Sequence, residues 1–190
     1  MTAGLVFAGG RSQRFGREKA VERLGKRTLL ECSLAVLGGS CTVLAVSAAA
    51  GSQAASLATA LGHPFLSDDP VHAQGPLAGL AAGLIWARAG GFETLATLPC
   101  DTPHVEAADM ARLIASLGEA NCAFAHTPDG AHGLCAVWKT TLVDDLAARL
   151  ATGDHPAVRD YLAQVHGRPV HFADAHRFAN INRPEDLPRC

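Results

Sequence analysis

This 190-residue chain predicts an α/β fold: a doubly wound, mostly parallel sheet with helices on both faces. Three observations lead there. Short apolar runs alternate with segments whose apolar residues recur at helical spacing. The connections between successive runs have the length that parallel crossovers require. The residues best suited to chemistry, Gly9, Ser47, Asp68 and Asp101, each follow a predicted strand, and such sheets bind ligands at the carboxyl ends of their strands.

Taken in order, Leu5–Ala8 reads as a short buried strand. Thr28–Leu37 carries Leu29, Leu30, Leu34 and Leu37 at helical spacing, and Gly38-Gly39 ends it. Thr42–Val46 is a second strand, and Ser52–Leu61 a helix closed by Gly62. The Ala/Gly/Ser-rich stretch Ser47–Ser56 is the strand-to-helix loop between them. Pro64–Leu66 is a third strand that runs into Ser67-Asp68-Asp69-Pro70. Leu77–Arg88 is a helix in which Gly79 and Gly83 allow close packing, and Glu93–Leu98 is a fourth strand ending at Pro99-Cys100-Asp101. Glu106–Leu117 is a helix stopped by Gly118, and Cys122–Ala125 and Gly133–Trp138 are strands. Leu142–Leu150 and Ala157–Val165 are helices, and Val170–Phe172 is a last strand. Asn180-Ile181-Asn182 reads as a turn before a helix started by Pro184-Glu185-Asp186.

The composition narrows the function. A hydrophobic share of 48% suffices to bury the core of one domain. The net charge of −2 argues against a nucleic-acid coat or a polybasic membrane binder. Seven of the sixteen Lys and Arg nevertheless lie between Arg11 and Arg27, a local cluster that suits a small anion better than a polyanion. Neither a leader nor a spanning segment is expected, so the reading is a cytoplasmic protein. The six cysteines, Cys32, Cys41, Cys100, Cys122, Cys135 and Cys190, include no C-x-x-C pair and read as reduced thiols, most of them in the core. The nine histidines show no H-x-x-x-H or H-E-x-x-H spacing, which favours surface or locally hydrogen-bonded roles over metal binding. Trp86 and Trp138 read as core or edge residues.

The chemistry gathers in a few loops. Gly9-Gly10 directly follows the first strand, where glycine permits φ > 0 and a close backbone approach to a ligand. Successive N–H groups in such a turn cradle phosphate oxygens. Lys19 adds a point charge, and Arg11 or Arg14 a bidentate grip. A tight turn with a solvated basic face is the competing reading. A Walker loop is absent, since Gly16 is followed by Arg17-Glu18-Lys19-Ala20, and the adjacent glycines do not make the G-x-G-x-x-G fingerprint. In TLPCDTP (Thr97–Pro103), Asp101 sits between two prolines at a strand's end. A carboxylate there suits Mg²⁺, which takes a few carboxylates, water and phosphate oxygens. A turn-capping aspartate is the alternative. LSDDP (Leu66–Pro70) offers Asp68 or Asp69, and GPLAG (Gly75–Gly79) reads as a rigid turn with Pro76 in the first turn of a helix.

Together these segments resemble a known family. LVFAGGRSQRFGREK (Leu5–Lys19) is similar to the L-A-G-G-x-S-x-R-M-G-x-x-K signature of the nucleotidyltransferases. GPLAG, PCDTP and the late NINRPEDL (Asn180–Leu187) are similar to the molybdenum cofactor guanylyltransferase branch, MobA. The matches come in family order and span nearly the whole chain. The resemblance implies a Rossmann-like nucleotidyltransferase domain over residues 1–190, with nucleotide binding in 1–105 and acceptor binding in 106–190.

It also implies a reaction. GMP passes from Mg·GTP to molybdenum-bound molybdopterin, a pterin phosphate, and pyrophosphate leaves. By motif, Phe7, Ala8, Gly9 and Gly10 would line the nucleotide, with Ser47 near the base and Asp68 at the nucleoside. Lys19 and Arg14 would act on the phosphates, and Asp101 would bind Mg²⁺. Asn180, Asn182 and Arg159 would meet the acceptor. Molybdenum-insertion proteins and molybdoenzyme chaperones would be partners. Several positions depart from the family. Phe7 and Phe15 stand where Leu and Met are usual, Gly133 follows His132 where Pro is usual, and His155-Pro156 replaces basic residues, with Arg159 one helical turn on as a substitute. Two alternatives stay open: a related enzyme such as a molybdopterin cytidylyltransferase, and a catalytically silent nucleotide-binding module that hands cofactor on.

Overall fold

A computed structural model describes residues 1–9, 18–67, 75–181 and 186. Strand β1 (Thr2–Phe7) is followed, after a 3-10 turn at Lys19–Val21, by the short strands β2 (Arg23–Leu24) and β3 (Arg27–Thr28). Helix α1 (Leu29–Gly38), strand β4 (Val43–Ser47), helix α2 (Gln53–Ala60) and strand β5 (Phe65–Leu66) come next. Helix α3 (Pro76–Ala89), strand β6 (Thr94–Pro99) and helix α4 (Ala107–Ser116) lead to the hairpin of β7 (Cys122–Thr127) and β8 (Gly130–Lys139). Helices α5 (Val143–Ala151) and α6 (Val158–Gln164) precede strand β9 (Arg168–His171) and a 3-10 turn at Ala175–Phe178.

The sheet runs β5-β4-β1-β6-β8-β7-β9. Strands β5, β4, β1 and β6 are mutually parallel, while β8 is antiparallel to both β6 and β7. The expected mostly parallel, doubly wound sheet is therefore present. From β1 the chain winds outward through β4 to β5, then crosses back to β6 on β1's other side. That reversal places the topological switch point between β1 and β6.

Side chains alternate across the sheet as strand geometry requires. Ala3, Leu5 and Phe7 of β1 join one core with α3, α5 and α6, including the buried Trp138 and Tyr161. Val6 joins the opposite core with α1, α2 and α4, which Phe172 and Phe178 complete. Close approach of helix to sheet rests on missing side chains. A Cβ on Gly83 would lie 2.6 Å from Leu5 Cδ2, and one on Gly133 would lie 2.7 Å from Val158 Cγ1 and 2.9 Å from Leu162 Cδ1. The Gly133 departure thus has a local reason, since α6 packs directly over it.

The short β2–β3 hairpin is absent from the sequence reading. Its strands are too short to show a period, and their residues are mostly polar. Gly25, at φ 61°, makes its tight turn. The hairpin feeds into a capping box at the start of α1. Glu31 N–H donates to Thr28 Oγ1 at 3.2 Å, and Thr28 N–H donates to Glu31 Oε2 at 2.6 Å. These bonds hold the Glu31 carboxyl below its ordinary range, the backbone donor of Thr28 first and its hydroxyl second. At the start of α3, Gly75 adopts φ 104° and ψ −179°, a conformation open essentially to glycine alone.

Three stability experiments follow from these helix starts. Thr28→Ala should lower the unfolding free energy in urea by about 1 kcal/mol. Because Glu31 has a lowered folded-state pKa, its charge stabilises the fold fully above the ordinary glutamate pKa, and that contribution is lost as pH falls through the lowered value. The stability gap between wild type and Glu31→Gln should therefore close on acidification, and a gap that stays constant would remove this account. Gly75→Ala meets no atom of the described residues within 4 Å, so its destabilisation, expected at about 1–3 kcal/mol, is assigned to backbone strain.

Candidate active site

Parallel pairing continues past the strand ends and draws three loops onto one rim. Ala8 N–H donates to Ser47 O at 2.9 Å, Cys100 N–H to Phe7 O at 2.9 Å, and Ala48 N–H to Leu66 O at 3.1 Å. The residues that leave β1, β4, β5 and β6 therefore sit side by side at the carboxyl edge of the sheet. Phe7 is buried as the last residue of β1, Ala8 is half-buried, and Gly9 is exposed. Ser47 is buried at the end of β4, where its carbonyl holds Ala8.

Gly9 is corrected in one respect. Its φ lies outside the left-handed region, so backbone conformation does not demand glycine there. Nor does packing against the described residues, among which a Cβ would meet Ser47 O at 3.8 Å and Ala48 Cα at 4.0 Å. Gly10, Arg14, Asp68 and Asn182, with Arg11 and Asp69, lie outside the described residues.

Across the switch point, Lys19 Nζ donates to Asp101 Oδ2 at 3.1 Å and to the carbonyl of Ile181 at 2.6 Å. The two charged side chains are only 17% and 22% exposed, so the pair is partly withdrawn from solvent. Ile181 N–H in turn donates to Asp101 O at 2.7 Å. A cation from the loop after β1, a carboxylate from the loop after β6 and the backbone of the late Asn180-Ile181 segment thus form one hydrogen-bonded group. Asn180 is exposed next to the buried Ile181 of this group. Arg159 is not joined to it. Its side chain is 84% exposed on α6, and its guanidinium meets Asp160 at 3.4 Å.

Two contributors were invisible in the sequence. Glu18 accepts N–H bonds from Gln53 at 2.9 Å and Ala54 at 2.8 Å, so its carboxylate caps α2 and fixes the chain just before Lys19. Ile181, which the sequence presents only as the spacer between two asparagines, supplies the carbonyl that Lys19 grips. Neither backbone acceptance nor a cap distant in sequence leaves a pattern in residue order.

The thiols stand apart from this chemistry. Burial pushes Cys41, Cys100 and Cys135 up to about 12, and no disulfide forms among the described cysteines. Trp138 donates its indole N–H to Thr97 Oγ1 at 3.0 Å inside the core. His132 Nε2 lies 2.8 Å from Thr127 Oγ1. A shallow polar cavity of about 400 Å³ beyond Asp101 is lined by His104, Glu106, Asp174, His176 and Arg177. There His104 and His176 stack with centroids 4.1 Å apart. Burial first, and then the neighbouring His176 and Arg177, hold His104 below its ordinary range. No cluster of three or more His, Cys, Asp or Glu suited to a metal occurs among the described residues, and no described helix is long and apolar enough to cross a membrane.

A family described as the MobA-like NTP transferase domain matches residues 4–170. A molybdenum cofactor guanylyltransferase of Cereibacter sphaeroides is 40% identical over 188 residues, covering 98% of this chain and 94% of that protein. The enzyme of the same name from Acidiphilium cryptum is 39% identical, covering 96% and 90%. Among solved structures, molybdopterin-guanine dinucleotide biosynthesis protein A from Archaeoglobus fulgidus superposes with a TM-score of 0.73 at 21% identity, covering 98% of this chain and 95% of that one. Its likeness is in fold. The glycine-bearing rim, the lysine–aspartate pair at the switch point and the near full-length match agree, and the chain belongs to the MobA-like NTP transferase family.

Proposed function

We propose that this chain transfers GMP from Mg·GTP to the terminal phosphate of molybdenum-bound molybdopterin, releasing pyrophosphate and forming the guanine dinucleotide cofactor. One observation carries the reading: Lys19 and Asp101 converge at 3.1 Å where β1 and β6 end. The full-length similarity to enzymes named molybdenum cofactor guanylyltransferase supports the choice of nucleotide and acceptor.

The residues divide the work. The acceptor's phosphate monoester is already an anionic nucleophile at neutral pH, so no strong general base is needed. Its oxygen bonds to the α-phosphorus, the bond to the β-phosphate bridging oxygen breaks, and pyrophosphate carries the electron pair away. The obstacle is repulsion between anions. Lys19 would move its ammonium from Asp101 to the phosphates. Gly9 and Gly10 would offer backbone to them, and Arg14 a guanidinium. Phe7, Ala8, Ser47 and Asp68 would hold the nucleoside. Asn180, Asn182 and Arg159 would hold the acceptor, and alignment of the two phosphates would supply much of the remaining rate.

Asp101 fits Mg²⁺ by its donor chemistry. It is a single, partly exposed carboxylate at the rim, and this ion takes one or two carboxylates with water and substrate phosphates. When bound, Mg²⁺ supplies charge neutralisation at the phosphates.

Three measurements test the reading. Pyrophosphate release with molybdenum-bound molybdopterin, Mg²⁺ and each nucleoside triphosphate should be fastest with GTP, and preference for CTP would make the chain a cytidylyltransferase. Asp101→Ala and Asp101→Asn should lower kcat by about 10²-fold or more with the circular dichroism of the fold intact, and near wild-type turnover at ordinary Mg²⁺ would remove the assignment. Calorimetric GTP binding should strengthen with Mg²⁺, whereas indifference to the ion would favour a silent binding module.

A further inference from the structure

We infer that Leu24 and Ile181 are positioning residues for the acceptor: with Leu29 they form an apolar seat that fixes the Asn180-Ile181 segment beside Asp101. The inference rests on the reading of Asn180 as an acceptor contact and adds to it the device that holds that contact in place.

The seat is a separate cluster. Ile181 (2% exposed) and Leu29 (fully buried) pack together, with the partly buried Leu24 against them, apart from both cores of the sheet. Leu24 comes from β2 and Leu29 from the first turn of α1, so the hairpin missed in the sequence has a place in the site. The same short stretch supplies Lys19. Glu22 N–H donates to Lys19 O at 2.9 Å, and Leu29 N–H donates to Glu22 O at 2.9 Å. Residues 19–29 thus present an ammonium to the carbonyl of Ile181 and an apolar surface to its side chain.

This double hold matters because nucleotide binding disturbs half of it. Lys19 and the Asp101 carboxylate would both turn to new partners when a metal-bound triphosphate arrives. The Ile181 carbonyl would then lose its 2.6 Å ammonium contact. Two restraints remain, since neither uses a side chain the nucleotide needs. They are the 2.7 Å bond from Ile181 N–H to the backbone oxygen of Asp101, and the seat. Extended backbone alternates its side chains, so burying Ile181 turns Asn180 outward toward the rim. Loosening the seat frees that orientation while the triphosphate-binding loops stay as they are.

The test compares wild type with Ile181→Ala, Leu24→Ala and the conservative Ile181→Val. Hydrogen exchange of the Ala179–Ile181 amides should quicken in both alanine variants, and Ile181→Val should stay near wild type. Mg·GTP affinity by calorimetry should hold within about twofold, while KM for molybdenum-bound molybdopterin rises about tenfold with kcat little changed, the pattern of lost ground-state positioning. Unchanged exchange would overturn the proposal. So would an unchanged acceptor KM despite faster exchange, or a GTP affinity that falls as much as acceptor KM rises. Should wild type transfer no nucleotide to the pterin, the functional reading fails by itself. Exchange and GTP binding then decide the seat: faster exchange confined to this segment with intact GTP binding supports it, and any other pattern overturns it.

Discussion

Strands β4, β1 and β6 lie parallel, and their carboxyl ends are held level by backbone bonds that continue one residue beyond the strands, from Ala8 to Ser47 and from Cys100 to Phe7. Everything polar at the site depends on that alignment. The strands end at the same height, and the chain reverses its winding between β1 and β6, the place where sheets of this kind bind ligands. Lys19 and Asp101 approach each other across the sheet because the ladder brings their strands to one rim. Their separation in sequence, more than eighty residues, is irrelevant to it.

The lysine–aspartate pair is better understood as poised than as a fastener. Both groups are partly buried, and such pairs gain little net stability, because desolvation offsets much of the Coulomb attraction. Each nevertheless keeps the other compensated until a better partner arrives. On the proposed function, a metal-bound triphosphate would offer both at once, a cation for the carboxylate and phosphate oxygens for the ammonium. Glu18 contributes by bonding to the first N–H groups of α2, which anchors the chain immediately before Lys19 and limits where that ammonium can reach.

The side proposed for the acceptor is built differently. There the structure relies on backbone bonds and a small apolar cluster, with Ile181 clasped between Asp101, Lys19 and the Leu24–Leu29 surface. Two of the departures from the family pattern, at Gly133 and at His155-Pro156, lie in the C-terminal part of the chain. Gly133 is accounted for by the close approach of α6. Arg159 points into solvent on the same helix, apart from the Lys19–Asp101 group, so reaching a substrate phosphate would require the acceptor to extend over α6.

Residue order by itself determined the fold class and the order of the main strands and helices, and it singled out the loops proposed to carry chemistry. Those features are local: strand and helix periods, glycines after strands, and a carboxylate between prolines all leave marks a few residues wide. The signature also named Lys19 and Asp101 before any coordinate did. Of the two reasons residue order offered for glycine at position 9, the left-handed backbone does not hold, since its φ lies outside that region. Residue order also missed the β2–β3 hairpin, whose strands are too short to show a period. Only the tertiary structure decided that Lys19 grips the carbonyl of Ile181, that Glu18 caps α2, and that Leu24, Leu29 and Ile181 share a cluster. These are contacts between segments far apart in the chain, several made by backbone atoms that every residue type carries, so only folding reveals which atoms meet.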